Sequence, residues 1–261
     1  MNSLLTKFTL GFSATAVSFP WLPEQSSTYA PGIDGLFYLI LGISLFFIVL
    51  VHVLIVVFVW RYRQRQGRRA FYTSGNRRLE ALWFSIPAVI LVVLVILSQS
   101  TWSRIKTAAV WPAEALTVEV LAEQYAWNFR YAGPDGKFGA LDPALMDPYN
   151  PWGRVEDDPD GADDVMTINT MAIPVNEPVR VLLRSKDVIH SFFLPDFRYK
   201  HDAVPGMTME FHLEATRPGD FPLACAEFCG LGHYRMKGTL HVMPRAEFDA
   251  WLTEQAEEGQ P

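Results

Sequence analysis

Both cysteines of this 261-residue chain fall in one short stretch, Cys225-Ala-Glu-Phe-Cys229-Gly-Leu-Gly-His233-Tyr-Arg-Met236. Two thiolates, an imidazole and a thioether lie within it. Soft sulfur ligands beside histidine suit copper, and a long Met contact beside Cys and His marks electron-transfer copper. A second imidazole, His190, is available upstream in Val-Ile-His-Ser. A mononuclear blue site needs one thiolate only. Two thiolates with two histidines suit a pair of coppers bridged by both sulfurs. The same residues also admit a Cys2His2 zinc site or a disulfide. Zinc hairpins carry tighter cysteine spacing and gain nothing from Met236, so the ligand types favour copper.

Half of the residues are hydrophobic, and their weight is concentrated before residue 103. Leu36 to Trp60 contains no acid, Lys or Arg, with His52 its only ionisable group. It is long enough to cross a hydrocarbon core of ~30 Å with some tilt. Ala81 to Trp102 is a second uncharged run, with Pro87 expected in its first turns, where a missing backbone donor costs least. The intervening loop, 61–80, carries seven arginines before its only acid, Glu80. Alone, such a loop also reads as a nucleic-acid patch. Between two spans it reads as the cytoplasmic loop of a positive-inside hairpin. Both termini then face the opposite side, the periplasm of a bacterium, with the spans in its inner membrane. Residues 1–35 are expected to be a periplasmic lead-in. Lys7, a short apolar stretch and Ala14-Thr-Ala16 also allow a secretory signal.

Residues 103–261 read as a soluble domain with 14 basic and 25 acidic residues, a net charge of −11. Short β-rich segments recur at 116–121, 127–131, 166–171, 179–183, 207–213, 221–225 and 238–243, separated by turn residues, which argues for a sandwich or barrel. A closing helix is expected over 245–258. Residues 133–164 form an insertion rich in Pro, Gly and Asp, expected to be a long loop, ordered or partly mobile. Its acids, among them Glu156, Asp157, Asp158 and Asp160, read either as a solvated excursion or as a rim that steers a basic partner. His201, His212 and His241 have no second soft ligand nearby in sequence and read as ordinary surface or core residues.

The pattern Cys-x-Glu-x-Cys-Gly-x-x-His-x-x-Met resembles the dicopper (CuA) loop of subunit II of haem–copper cytochrome c oxidases. The likeness extends to Asp187-Val-Ile-His190-Ser, Lys200-His-Asp202-Ala-Val-Pro205-Gly206, Glu80-Ala-Leu-Trp83-Phe-Ser-Ile-Pro87 and Gln124-Tyr125-Ala-Trp127, from about residue 36 to 243. The resemblance implies a two-helix transmembrane hairpin followed by a cupredoxin-like Greek-key β-sandwich. It implies electron input from cytochrome c to haem in subunit I, for reduction of oxygen to water coupled to proton pumping. The implied ligands of two copper ions are His190, Cys225, Cys229, His233, Met236 and the backbone carbonyl of Glu227. The Glu227 carboxylate is implied to reach a magnesium ion shared with subunit I, a hard cation that prefers oxygen.

Glu80 reads from the residues as an acid that favours a helix N-terminus. The resemblance adds a place at the mouth of a proton-uptake route into subunit I. Tyr125 stands where relatives that draw on soluble cytochrome c commonly carry the Trp of electron input. It retains an aromatic contact over the copper loop, while the change leaves the donor open. The implied partners are subunits I and III, membrane lipid, and cytochrome c or a cytochrome domain of a neighbouring complex, with no nucleic acid. No Cys-x-x-Cys-His sequence is present, so the donor haem lies on another protein. A CuA-containing nitric oxide reductase is the alternative complex. A metal-free quinol oxidase subunit is excluded by the full ligand set.

Overall fold

The computed structural model describes residues 22–69, 71–106, 112 and 115–258. The signal-segment reading of Lys7 and Ala14-Thr-Ala16 therefore lies outside the described residues. The described residues divide into a helical unit, Gly32–Arg104, and a β unit formed by residues 22–31 and the described residues from Ile105 onward.

Helix α1, Ala30–Tyr62, starts earlier than the apolar run that defines it, because the Ser27 hydroxyl accepts from the Ala30 amide at 3.2 Å and Pro31 suits a first turn. Its 33 residues extend ~50 Å at 1.5 Å per residue. Helix α2, Arg77–Lys106, is capped by Asn76, whose Oδ1 accepts from the Arg78 and Leu79 amides at 3.0 and 3.3 Å. This early cap corrects the expectation for Pro87. It sits well inside the helix rather than in the first turns, so the Trp83 carbonyl has no amide four residues on. Phe46, Val56 and Val59 on α1 and Phe84, Val89 and Val95 on α2 are largely exposed within the chain. A helix apolar all round belongs in lipid or against other apolar helices.

The described β unit holds ten strands: β1 Leu116–Glu123, β2 Ala126–Tyr131, β3 Val165–Ile168, β4 Thr170–Pro174, β5 Pro178–Ser185, β6 His190–Leu194, β7 Tyr199–Ala203, β8 Met209–Glu214, β9 Gly219–Cys225 and β10 Lys237–Met243. They form two five-stranded sheets, ordered β3-β2-β1-β5-β8 and β4-β10-β9-β6-β7. Strand β5 alternates strictly, with Val179, Val181 and Leu183 buried and Arg180 and Arg184 turned outward. That period of two places one face of the sheet in the core. Trp127, Phe129, Phe192, Leu194, Leu213, Leu223 and Leu240 complete the core, all below 1 % exposure.

The segment expected as one strand at 166–171 is two. Asn169 adopts φ 58°, a left-handed conformation that Asn tolerates, and there the chain passes from one sheet to the other. Its side-chain oxygen accepts from the Trp127 amide at 3.0 Å and its carbonyl from the Thr239 amide at 2.8 Å. Residues 22–29 belong to the sandwich as well. Ser27 bridges Ala215, and the Thr28 and Thr216 amides donate to the carbonyls of Glu214 and Ser26. Helix α3, Arg245–Glu258, closes the unit by packing Phe248 and Trp251 on Tyr131.

The insertion is ordered by its own acids. Asp142, Asp147 and Asp158 accept from backbone amides two or three residues on, forming the local turns these residues favour. Asp164 and Gly139 close on the guanidinium of Arg130, whose side chain is 1 % exposed and which also meets Glu119 at 3.1 Å.

Candidate metal centre

Strand β9 ends at Cys225, and the chain then turns through Cys229 and a 3-10 turn, His233–Arg235, before entering β10 beyond Met236. The β6–β9 pairing sets Phe192 opposite Cys225, so His190, at the start of β6, comes to the same end of the sandwich. Register thus brings together residues that are 35 positions apart.

The Cys225 and Cys229 sulfurs are 3.8 Å apart. That is far beyond a disulfide bond of ~2.05 Å. Two thiolates ~2.3 Å from one shared metal at a tetrahedral angle are separated by about 3.8 Å. His190 Nδ1 lies 3.9 Å from Cys225 Sγ and 3.2 Å from Met236 Sδ. His233 Nδ1 lies 3.7 Å from Cys229 Sγ, and Met236 Sδ is 3.8 Å from the same sulfur. The Glu227 carbonyl accepts from Cys225 Sγ at 3.2 Å. Among the described residues, His190, Cys225 and Cys229 form the one cluster of three His, Cys or acidic groups whose ligand atoms lie within 4.8 Å of one another.

Six donors converge here, more than the four of a tetrahedral zinc ion. Two thiolates, two imidazoles, a thioether and a carbonyl would be enough donors to hold two metals. Sulfur and imidazole suit copper, and the donor set fits a copper pair.

The imidazole of His190 is oriented from behind. Its Nε2 donates to Asp187 Oδ1 at 2.8 Å, which turns Nδ1 towards the sulfurs. Burial raises the Asp187 carboxyl, but its bonds to His190 and to the Gln124 and Val188 amides outweigh that and hold it below the usual range. Burial lowers His190, yet contact with Cys225 and Asp187 leaves it above its ordinary value. Burial also raises both thiols. Bonds from His190 and the loop backbone pull Cys225 down to about 6, whereas the Cys225 charge adds to burial and pushes Cys229 up to about 11. The pair thus releases one proton near neutrality and retains the second.

The turn between β1 and β2 covers the loop. Tyr125 lies against Gly232 so closely that a Cβ there would stand 2.4 Å from its ring. At Gly230 a Cβ would meet the Tyr125 hydroxyl at 2.6 Å. Gln124 Nε2 donates to the Cys229 carbonyl at 2.6 Å. Trp127 is fully buried, with its ring edge-on to His190 at 6.3 Å between centroids. Sequence reasoning gave Gln124 and Asp187 no role of their own. Asp187 had a signal, an acid three residues before a ligand histidine. Gln124 had none, since its partner is 105 residues away.

The remaining candidates lie apart from the sulfurs or turn away from them. The Glu227 side chain is exposed. Glu80 is exposed in the first turn of α2, and its carboxylate folds back over Gly75, where a Cβ would meet Oε1 at 2.9 Å. His52 Nδ1 pairs with the Ile48 carbonyl within α1. His201 stacks on Phe211, burial lowers the pKa of His212, and His241 meets Asp220 at 2.6 Å.

Comparison with known proteins identifies the family. Residues 116–242 match the family described as cytochrome c oxidase subunit II, periplasmic domain, and residues 14–100 match its transmembrane domain. The chain is similar to the alternative cytochrome c oxidase subunit 2 of Bradyrhizobium diazoefficiens, 36% identical over 238 residues, covering 90% of this chain and 84% of that one. It is 30% identical to cytochrome c oxidase subunit 2 of Thermostichus vulcanus, covering 93% of this chain and 83% of the relative. The solved periplasmic domain of subunit II of cytochrome oxidase from Bradyrhizobium japonicum is 26% identical, covering 57% of this chain and 99% of that one, with a TM-score of 0.44.

Proposed function

We propose that this chain, which belongs to the cytochrome c oxidase subunit II family, receives electrons for its oxidase at a dinuclear copper centre. The reading is carried by the sulfur pair, 3.8 Å apart and enclosed by His190, His233, Met236 and the Glu227 carbonyl. When bound, a copper pair supplies a one-electron carrier whose bonds change little between its redox states.

The chain's residues do the rest. Cys225 and Cys229 would hold the copper through their thiolates, and His190 and His233 would each add an imidazole. Met236 is 2 % exposed and would offer a weak thioether beside His190, which would raise the potential of bound copper. The sandwich fixes these atoms before the metal arrives, so little has to move as charge passes. Electrons enter across Tyr125, whose ring lies on the ligand loop. They leave for the haem of subunit I in a complex that also holds subunit III. The arginine loop, 61–78, faces the cytoplasm, and the β unit faces the periplasm of a bacterial inner membrane. The exposed Glu227 carboxylate is directed to a magnesium ion shared with subunit I. Glu80 stands at the mouth of a proton route in addition to its place at the α2 N-terminus.

One assay on the purified complex tests this reading: oxygen consumption driven by reduced cytochrome c. Turnover should fall with rising salt, because steering between exposed charges is screened over ~8–10 Å. Tyr125→Ala should slow transfer from bound donor while keeping copper, and Glu80→Ala should slow turnover while leaving reduction of the copper centre unchanged. Consumption of nitric oxide instead of oxygen would overturn the oxidase assignment. A Tyr125→Ala complex with wild-type transfer would remove electron input from that residue.

A further inference from the structure

The two histidine- and cysteine-bearing segments are separate in sequence, and one residue touches both. The Gln124 amide N–H donates to Asp187 Oδ2 at 2.7 Å, while Asp187 Oδ1 accepts from His190 Nε2 at 2.8 Å. The Gln124 side chain turns the other way and donates to the Cys229 carbonyl at 2.6 Å. A carbonyl can only accept, so the amide nitrogen must face it. The chain of contacts therefore runs His190–Asp187–Gln124–Cys229, from an imidazole on one side of the sulfur pair to the peptide that carries the second thiol.

Among the described residues, Gln124 makes the hydrogen bond from this turn to the Cys229 carbonyl. Tyr125 covers Gly230 and Gly232 by ring contact, which fixes how closely the loop approaches but supplies no directional bond to the Cys229 peptide. The Ala226 amide donates to the Ser191 carbonyl at 3.0 Å, which secures the first cysteine to β6. The Cys229 peptide lies beyond that anchor. Its carbonyl is held by the Gln124 amide across 105 positions of sequence.

We propose that Gln124 is a positioning residue for the metal centre, a strap that couples the orientation of His190 to that of Cys229 and holds the loop in ligand geometry before any metal binds. Outer-shell partners of this kind are worth about 10–100-fold in metal affinity when removed. The proposal rests on the copper reading given above. The strap itself is a property of the metal-free chain and is measurable there.

The test uses the full-length chain in detergent, in three single variants and one double variant. Gln124→Leu keeps the bulk and removes the donor. Gln124→Glu keeps size and polarity but sets an acceptor against the Cys229 carbonyl. Asp187→Ala removes the anchor of the Gln124 backbone. In metal-free protein, amide hydrogen exchange over 226–236 should quicken in both Gln124 variants, with the thermal melting of the domain otherwise retained. In copper-loaded protein, competition with a Cu(I)-selective chelator should show about a 10–100-fold weaker hold in each. The loss from Gln124→Leu should be smaller in an Asp187→Ala background than in wild type, because the strap is already cut at one end. Wild-type exchange and copper retention in Gln124→Leu would overturn the proposal, as would a Gln124→Glu variant indistinguishable from wild type. Strictly multiplicative losses in the double variant would overturn the coupling. If the wild-type chain bound no copper pair, the copper reading would fall, while quickened exchange in the Gln124 variants would still support the strap.

Discussion

Two irregular stretches of the β unit, the insertion at 133–164 and the ligand loop at 225–236, are both rich in groups that bind cations, and they use them in opposite ways. In the insertion, Asp142, Asp147 and Asp158 turn onto nearby amides, and Asp164 closes on Arg130. Asp142, Asp147 and Asp158 thus satisfy the insertion's own backbone. In the ligand loop, the sulfurs, the thioether and the imidazoles face one another at 3.2–3.9 Å. Backbone and neighbouring side chains hold that loop from outside, through the Cys225 amide on the Met236 carbonyl, Ala226 on Ser191 and Gln124 on Cys229. A binding site is thus marked less by its content of polar groups than by where their lone pairs point. An acidic segment whose carboxylates are occupied locally contributes charge to steering, but it is not a ready-made ligand cage.

The comparison breaks most sharply at the cysteines. Cys225→Ser or Cys229→Ser should abolish copper binding as a pair, since a hard hydroxyl does not bridge copper as a thiolate does. Metal analysis of the purified variants checks this, and the insertion should be unaffected, with its amides exchanging as in wild type. The converse change is Arg130→Ala. It leaves Asp164, whose side chain is fully buried, without its ion-pair partner, and Glu119, 7 % exposed, with Arg184 alone. Breaking a buried pair in this way costs about 3–5 kcal/mol. Denaturant unfolding should show a loss of that order, while the folded variant still takes up its copper.

The two regions should also differ in response to protons. Loading the centre requires both thiols ionised. With the first proton leaving at about 6 and the second held to about 11, one proton remains to be displaced across that interval. Apparent copper affinity should therefore rise about tenfold per pH unit in the upper part of that interval, and more steeply as pH falls towards and below 6, where first the His190 proton, held above its ordinary value, and then the first thiol proton must also leave. Chelator competition across this range measures the slope. A flat profile would contradict the proton inventory of the thiol pair.

The ligand set was legible in the sequence because its chemistry is local: two thiols, an imidazole and a thioether within one loop. The hairpin was equally plain from two uncharged runs, although caps at Ser27 and Asn76 lengthen both helices beyond them. Strand β7 and all of β6 beyond its end at His190 escaped notice for physical reasons. Strand β6 is only five residues long and stops at Pro195, and β7, Tyr-Lys-His-Asp-Ala, lies at a sheet edge where no alternating apolar face is required. The corner at Asn169 and the contacts of Gln124 depend on partners far along the chain, and no periodicity announces them.

The central claim is that the ligand loop holds its donors for two metals at once. It is tested most directly by loading the full-length chain with copper and measuring both the copper content and the electron-spin resonance spectrum of the oxidised form. The account predicts two coppers per chain and an unpaired electron shared over both nuclei. One copper per chain, or a spectrum localised on a single nucleus, would contradict it.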